Sequence, residues 1–224
     1  MNQFTQEALD FLKDIIIIVV IVVVIRTFLV MPFQINGQSM YESYYNKEFI
    51  LVDRFSYREL PFFGQTQEIE RWDVVIFAPG VSKERKYFIK RAIGLPGETV
   101  KIEDGRVYIQ EVWQEEFYEL EEWAYLSDEN NKKTYVSSSD GANVYKVPEN
   151  RYFVMGDNRN HSTDSRTCFS SCSIRGNYIN PEEITGKLLI DLGYFDFSSF
   201  SFFHPNLEIP TTPRFFSSPW EYSY

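Results

Sequence analysis

The chain has little of what binds metal or nucleic acid. Two cysteines and two histidines in 224 residues leave little room for a metal site, since a structural zinc takes four such ligands, and no cofactor is implied. A formal net charge of −10 and a pI near 4.8 exclude the basic face that nucleic acid needs to displace its counterions. No internal repeat recurs, no Gly/Ser linker breaks the chain, and no amphipathic helical period follows residue 40. No Ala-x-Ala-like pair of small residues follows the apolar N-terminal run, as it would in a cleaved leader. Arg-Thr-Phe-Leu-Val-Met-Pro stands there instead, so the run should stay attached as a signal anchor.

That run, Ile15 to Ile25, is eleven consecutive Ile and Val residues. As a helix it spans only about 16 Å, against roughly 30 Å of hydrocarbon. Phe11 and Leu12 before it and Phe28–Met31 after it extend the stretch. Lys13 and Arg26 can lay their stems along lipid and lift their charges to the interfaces. A transmembrane anchor over 11–31 is the expectation, behind a tail at 1–10. The competing reading is a buried strand, since β-branched residues favour strands in water. Orientation is barely set by charge, because Glu7, Asp10 and Asp14 offset Lys13.

After the anchor, strand-like runs recur at Phe49–Tyr57, Asp73–Phe77, Tyr87–Ile93 and Thr99–Ile109. Asp104-Gly105 splits the last into a hairpin. From 110 to 146 acidic, aromatic and polar residues mix, including Ser127–Lys133 and Ser137–Gly141, as in an inserted lobe. Strand character returns at Arg151–Met155 and Ile184–Asp191. The fold class expected is mainly β, folded-over antiparallel sheets or a small barrel over 32–192. The tail from 193 to 224 is rich in aromatics, prolines and serines and should lack regular structure. It either covers apolar surface of the domain or faces a membrane.

Three segments carry chemistry. The first is Asn36-Gly37-Gln38-Ser39-Met40, and the second is Lys90-Arg91-Ala92-Ile93-Gly94-Leu95-Pro96-Gly97-Glu98. The third runs Gly156-Asp157-Asn158-Arg159-Asn160-His161-Ser162-Thr163-Asp164-Ser165-Arg166. In this order behind an anchor, they resemble the type I signal peptidases, membrane-anchored serine proteases with a Ser/Lys dyad. The resemblance covers about residues 11–192.

It implies Ser39 as nucleophile, Lys90 as general base and Ser162 as the residue that orients the lysine. The Ser39 backbone N–H is then the oxyanion donor, with Gly37 where some members place a second, hydroxyl donor. Asp164 and Arg166 resemble a structural ion pair bracing the loop. Two residues apart, they could also be an ordinary exposed pair. Asp157 and Asn158 suit a tight turn, and Asp73 a strand entry. Tyr41-Glu42-Ser43 departs from the proline and threonine usual after the methionine.

The physics asks much of Lys90, since an ordinary lysine is protonated at pH 7 and cannot take a proton from serine. A strand would put Phe88, Lys90 and Ala92 on one face, among apolar neighbours whose desolvation lowers the amine's proton affinity. Arg91 would point the other way. A triad of Ser39, His161 and Asp164 is conceivable, but the family pattern has a variable residue at His161, so His161 is expected as an exposed loop residue.

The family's substrates carry small residues at −1 and −3, and Phe33, Ile35, Met40 and Ile89 are candidate pocket walls. Nine residues from Met31 to Ser39 reach at most about 30 Å, which holds the nucleophile near the bilayer where preprotein signal peptides are cut. The resemblance places the domain on the outer face of the cytoplasmic membrane, beside the translocation channel. Cys168 and Cys172 are expected as a local disulfide, with free thiols or half a metal site, His161 added, as alternatives. Two rival functions stay open: a self-cleaving repressor protease with the same dyad, and a non-catalytic anchored binding protein that keeps the fold.

Overall fold

The computed structural model describes residues 3–24, 29–41, 43–55, 68–80, 86–121, 133–136, 142–170, 172, 176–203 and 214–215. Glu42, the end of the Phe49–Tyr57 run, most of the two polar clusters of the insertion and His204 lie outside them, as does most of the tail. One α-helix, α1 (Gln3–Val24), opens the chain. It starts within the stretch expected as a tail, because nothing in residues 3–10 breaks a helix. Its apolar side chains from Leu9 to Val24 stay exposed. No described helix is long and apolar enough to cross a membrane. Val30 and Met31, expected at the end of the anchor, instead begin strand β1 (Val30–Gln34).

The rest is antiparallel β. The larger sheet runs in the order β1, β2 (Phe49–Asp53), β10 (Ile184–Asp196), β3 (Val74–Phe77), β4 (Phe88–Gly94) and β9 (Phe153–Met155). Sequence neighbours β2 and β3 are separated by β10, so a late strand of the chain occupies the middle of the sheet. The second sheet orders β7 (Tyr118–Glu119), β6 (Arg106–Gln110), β5 (Thr99–Glu103) and β8 (Val144–Lys146). The Asp104-Gly105 turn joins β5 to β6, with both residues at positive φ as such two-residue turns require. The expected insertion therefore contributes two strands, β7 and β8, that extend the β5–β6 hairpin into the second sheet.

Three apolar clusters follow from the period-2 alternation of these strands. One, under the second sheet, holds Ile93, Val100, Ile102, Val107, Ile109 and Phe153. A second, which takes in Met40 next to Ser39, holds Ile35, Met40, Tyr44, Ile50, Val52 and Val74. A third holds Val75, Phe77, Ala92, Val154 and Phe169, with Phe88 against it.

The tail departs from the irregular structure expected of it. Beyond Asp196 the chain turns back as β11 (Ser201–Phe203) along β10, and β12 (Arg214–Phe215) also pairs with β10. Phe195 gathers Phe197, Phe200 and Phe202 edge-on, and Phe202 meets Phe49 of β2. The cluster is only partly a cover, because Phe197 and Phe200 remain 82% and 81% exposed. Aromatic cross-strand pairs are sufficient to hold a short hairpin despite its serines.

Candidate active site

Ser39 sits on the turn that leaves β1. Ile35 and Lys47 tie the two ends of this loop, through Ile35 N–H to Glu48 O at 2.9 Å and Lys47 N–H to Ile35 O at 2.7 Å. Gly37 takes a φ of +120° that only glycine adopts freely, and its N–H donates to Asn46 Oδ1 at 2.9 Å. A side chain there would meet nothing within 4 Å, so this flank of Ser39 is open to an incoming chain. Among the described residues the Ser39 N–H meets no acceptor, whereas its carbonyl accepts from Asn158 N–H at 3.1 Å. The Asn158 side chain adds Nδ2 to Gln38 O at 3.2 Å. Asn158 therefore pins the nucleophile's backbone to the third motif.

Lys90 lies at the centre of β4, opposite Val75 of β3. Its residue is 3% exposed, and its Nζ stands 2.6 Å from Ser39 Oγ and 2.8 Å from Ile89 O. Burial lowers its pKa from 10.5 to about 8, against the opposing pull of Asp164 and Asp157. That fall corresponds to about 3 kcal/mol of desolvation left uncompensated. A neutral amine at this distance can accept the Ser39 proton, and the resulting ammonium can return it to a leaving group.

Arg91, next in the strand, points to the other side. Its guanidinium grips Asp157 bidentately, Nε to Oδ1 at 2.8 Å and Nη2 to Oδ2 at 2.6 Å, and Nη1 reaches Trp72 O. Asp157 is thus half of a fully buried ion pair and not simply a turn former. Asp164 and Arg166 form a second buried pair, Nε to Oδ1 at 2.9 Å and Nη2 to Oδ2 at 2.8 Å. The exposed-pair alternative is excluded by that burial. Burial pushes the Asp164 carboxyl up, but Arg166 and the Gly156 N–H pull it below the ordinary carboxylate range. Asp73 binds Lys187 at 2.5 Å and caps Glu70 N–H, a scaffold role.

Gly156 is where the motifs converge most tightly. A Cβ on it would overlap both Ser162 Oγ and the Ser39 carbonyl oxygen. Gly156→Ala should therefore lower kcat/KM at least about tenfold by displacing Ser39 from Lys90, checked by steady-state kinetics with circular dichroism to show retained fold. Ser162 Oγ is buried here and its hydroxyl helps to hold the Asp164 carboxylate ionised, whereas Lys90 is bonded to Ser39 and Ile89. His161 is exposed in a 3-10 turn (Arg159–His161). Of the pocket candidates, Ile35 and Met40 are fully covered in the second cluster, whereas Phe33 and Ile89 lie half-buried at its edge.

Two contributors carried no sequence signal. Buried Arg159 donates from Nε to Gly156 O at 3.0 Å and from Nη1 to Thr134 Oγ1 at 2.5 Å, and Arg166 Nη1 reaches Tyr135 O at 2.9 Å. Residues 133–136 thus strap the third motif, and Thr134 N–H in turn holds Gly105 O at 2.8 Å. Cys168 and Cys172 are joined as a disulfide.

A serine hydroxyl, a buried amine beside it and a free backbone N–H make an acyl-transfer site of the serine-hydrolase kind. The model of the peptidase S26 signal peptidases matches residues 8–191. Signal peptidase I S of Bacillus subtilis is 34% identical over 161 residues, covering 72% of this chain and 79% of that one. A signal peptidase I of Bacillus amyloliquefaciens is 37% identical over 154 residues, covering 69% and 72%. A crystal structure of a signal peptidase I from Enterococcus faecalis superposes with a TM-score of 0.38 at 29% identity, covering 55% of this chain and 97% of that one. The chain belongs to the S26 signal peptidase family.

Proposed function

We propose that the chain is a signal peptidase I, a serine endopeptidase that removes N-terminal signal peptides from exported preproteins. The observation that carries this reading is the 2.6 Å contact between Lys90 Nζ and Ser39 Oγ in a buried site. Neutral Lys90 takes the Ser39 proton as Oγ attacks the scissile carbonyl carbon. The oxyanion rests on the Ser39 N–H, and open space at Gly37 lets the substrate backbone approach. Collapse breaks the C–N bond, the Lys90 ammonium protonates the departing amine, and an acyl-serine ester remains. Water then gives its proton to Lys90 and its oxygen to the acyl carbon, which frees the signal peptide and restores Ser39. Ser162, whose buried hydroxyl lies against Gly156 beside the Ser39 backbone, orients the amine once Lys90 turns from Ser39 toward the leaving group. Phe33 and Ile89 line the pockets for small side chains.

The exposed apolar surface of α1 from Leu9 to Val24 supports a single-pass anchor in the lipid bilayer. The likeness to signal peptidase I chains, not the helix, supports a catalytic domain held at the outer face of the cytoplasmic membrane, where preproteins leave the translocation channel. A preprotein cleavage assay on the wild type, Ser39→Ala and Lys90→Ala tests the reading. Cleavage at the signal junction by the wild type alone supports it. An inert wild type favours a binding protein that keeps the fold.

A further inference from the structure

Three consecutive residues that are not glycine, Cys168, Phe169 and Ser170, hold left-handed φ values of 47°, 55° and 65°. A side chain disfavours that region at each position, so a run of three persists only where something else fixes it. Two constraints do so here. The Cys168–Cys172 disulfide closes the turn with the two Cα atoms 4.9 Å apart, and the Phe169 N–H donates to Asp164 O at 3.0 Å.

The result is to drive Phe169 inward, where it is 2% exposed. Its ring meets Phe77 at 5.4 Å and Phe88 at 5.9 Å, both edge-on. Phe88 shares a strand face with Lys90, and Lys90 Nζ lies 5.6 Å from the Phe88 ring centre. A chain of contact therefore runs from the disulfide through Phe169 and Phe88 to the general base.

We propose that Phe169, seated by the Cys168–Cys172 disulfide, is a positioning residue for the peptidase reaction: through Phe88 it closes the apolar wall that keeps water from Lys90. The inference rests on the Ser39/Lys90 reading and adds to it a distal control of the base. Burial is the largest influence on the Lys90 amine and lowers its proton affinity, whereas Asp164 and Asp157 raise it and Arg166 lowers it. Val75 on β3 and Phe153–Met155 on β9 bring no ionisable group. Opening the wall leaves those charges in place and weakens the burial. The amine then holds its proton to higher pH.

Cys172 is exposed, so a small dithiol can reach the bond. Its two thiols supply two electrons and two protons, the S–S bond breaks to two cysteine thiols, and the reagent closes to a cyclic disulfide. The full chain in detergent is assayed for kcat/KM from pH 6 to 10, oxidised and dithiol-treated, alongside Phe169→Ala, Phe169→Leu and Cys168→Ser/Cys172→Ser. Reduction and Phe169→Ala should each move the acid limb up by about one pH unit, a loss of about tenfold at pH 7 and almost none at pH 10. Phe169→Leu should keep most of the wild-type profile, and the double serine variant should match the reduced enzyme and ignore dithiol. Loss by one factor at every pH, or no change on reduction, overturns the proposal. The 13Cε shift of Lys90, followed through the same titration, reads its proton affinity whether or not cleavage is seen. An oxidised wild type that does not cleave contradicts the peptidase reading alone. A Lys90 titration unmoved by reduction contradicts this one.

Discussion

Lys90→Met should lose roughly a thousandfold or more in kcat/KM on a preprotein and yet unfold at a higher denaturant concentration than the wild type at pH 7. Methionine fills the space of the lysine stem but brings no charge into the third apolar cluster. The sign follows from the proton affinities. The folded-state pKa of Lys90 is about 8, below the ordinary 10.5, so between those values the unfolded chain holds more protons than the folded one. Wild-type stability therefore rises with pH across that window. Below pH 8 the full cost of about 3 kcal/mol is present, and the methionine variant escapes it. Denaturant unfolding at pH 7 and pH 10 checks this, with the gap between the two chains shrinking at the higher pH. A methionine variant that is less stable at pH 7 would show that Lys90 is held by its carboxylate neighbours more than it is opposed by burial.

The other large effect concerns stability in the opposite direction. Arg91→Met removes the cation of a pair whose side chains are 2% and 0% exposed. It leaves the Asp157 carboxylate enclosed without its partner, which costs about 3–5 kcal/mol. Asp157→Leu alone leaves the guanidinium enclosed and should cost a similar amount. The double variant Arg91→Met/Asp157→Leu should recover much of the loss, because neither charge is then left alone. Equilibrium unfolding of all four chains gives the coupling directly. Additive losses would mean that the two groups do not stabilise each other. Catalysis should fall with Arg91→Met as well, since Asp157 lies one residue from Asn158, which holds the Ser39 backbone.

How far these features were legible in the sequence follows from how local their signals are. Lys90 could be placed on an apolar face because successive side chains of a strand point to opposite faces, which puts it with Phe88 and Ala92 and sends Arg91 to the other side. What Arg91 meets there was not legible. Its partner stands 66 residues away, and an Asp-Asn pair after glycine reads most simply as a turn. The Thr134 strap lies in a stretch whose polar composition signals only a loop, yet Thr134 is fully buried against Arg159. The cysteine spacing allowed a disulfide, but nothing in it forecast that the enclosed phenylalanine would be driven into the core. In the tail, serines and prolines argued against strands, and the pairing edge of β10 prevailed over local propensity. At the other end, continuous apolar composition from 28 to 31 suggested helix, whereas Val30 and Met31 are claimed by pairing with Asp53 and Val52.

The turn after Ser39 is held by contacts of its own. Tyr41 stacks edge-on with Tyr45 at 5.0 Å, and Tyr44 N–H closes on Met40 O at 2.8 Å. These contacts hold the turn without the proline usual in the family, and Ser39 still meets Lys90.

The central claim is that an amine dried by its surroundings takes the proton of Ser39, and the pH dependence of the acylation step tests it most directly. Under single-turnover conditions, with the full chain in detergent and a preprotein substrate, the rate should climb nearly tenfold per pH unit from pH 5 and level off above about pH 8. A rate that stays flat from pH 5 to 9 would contradict Lys90 as the base.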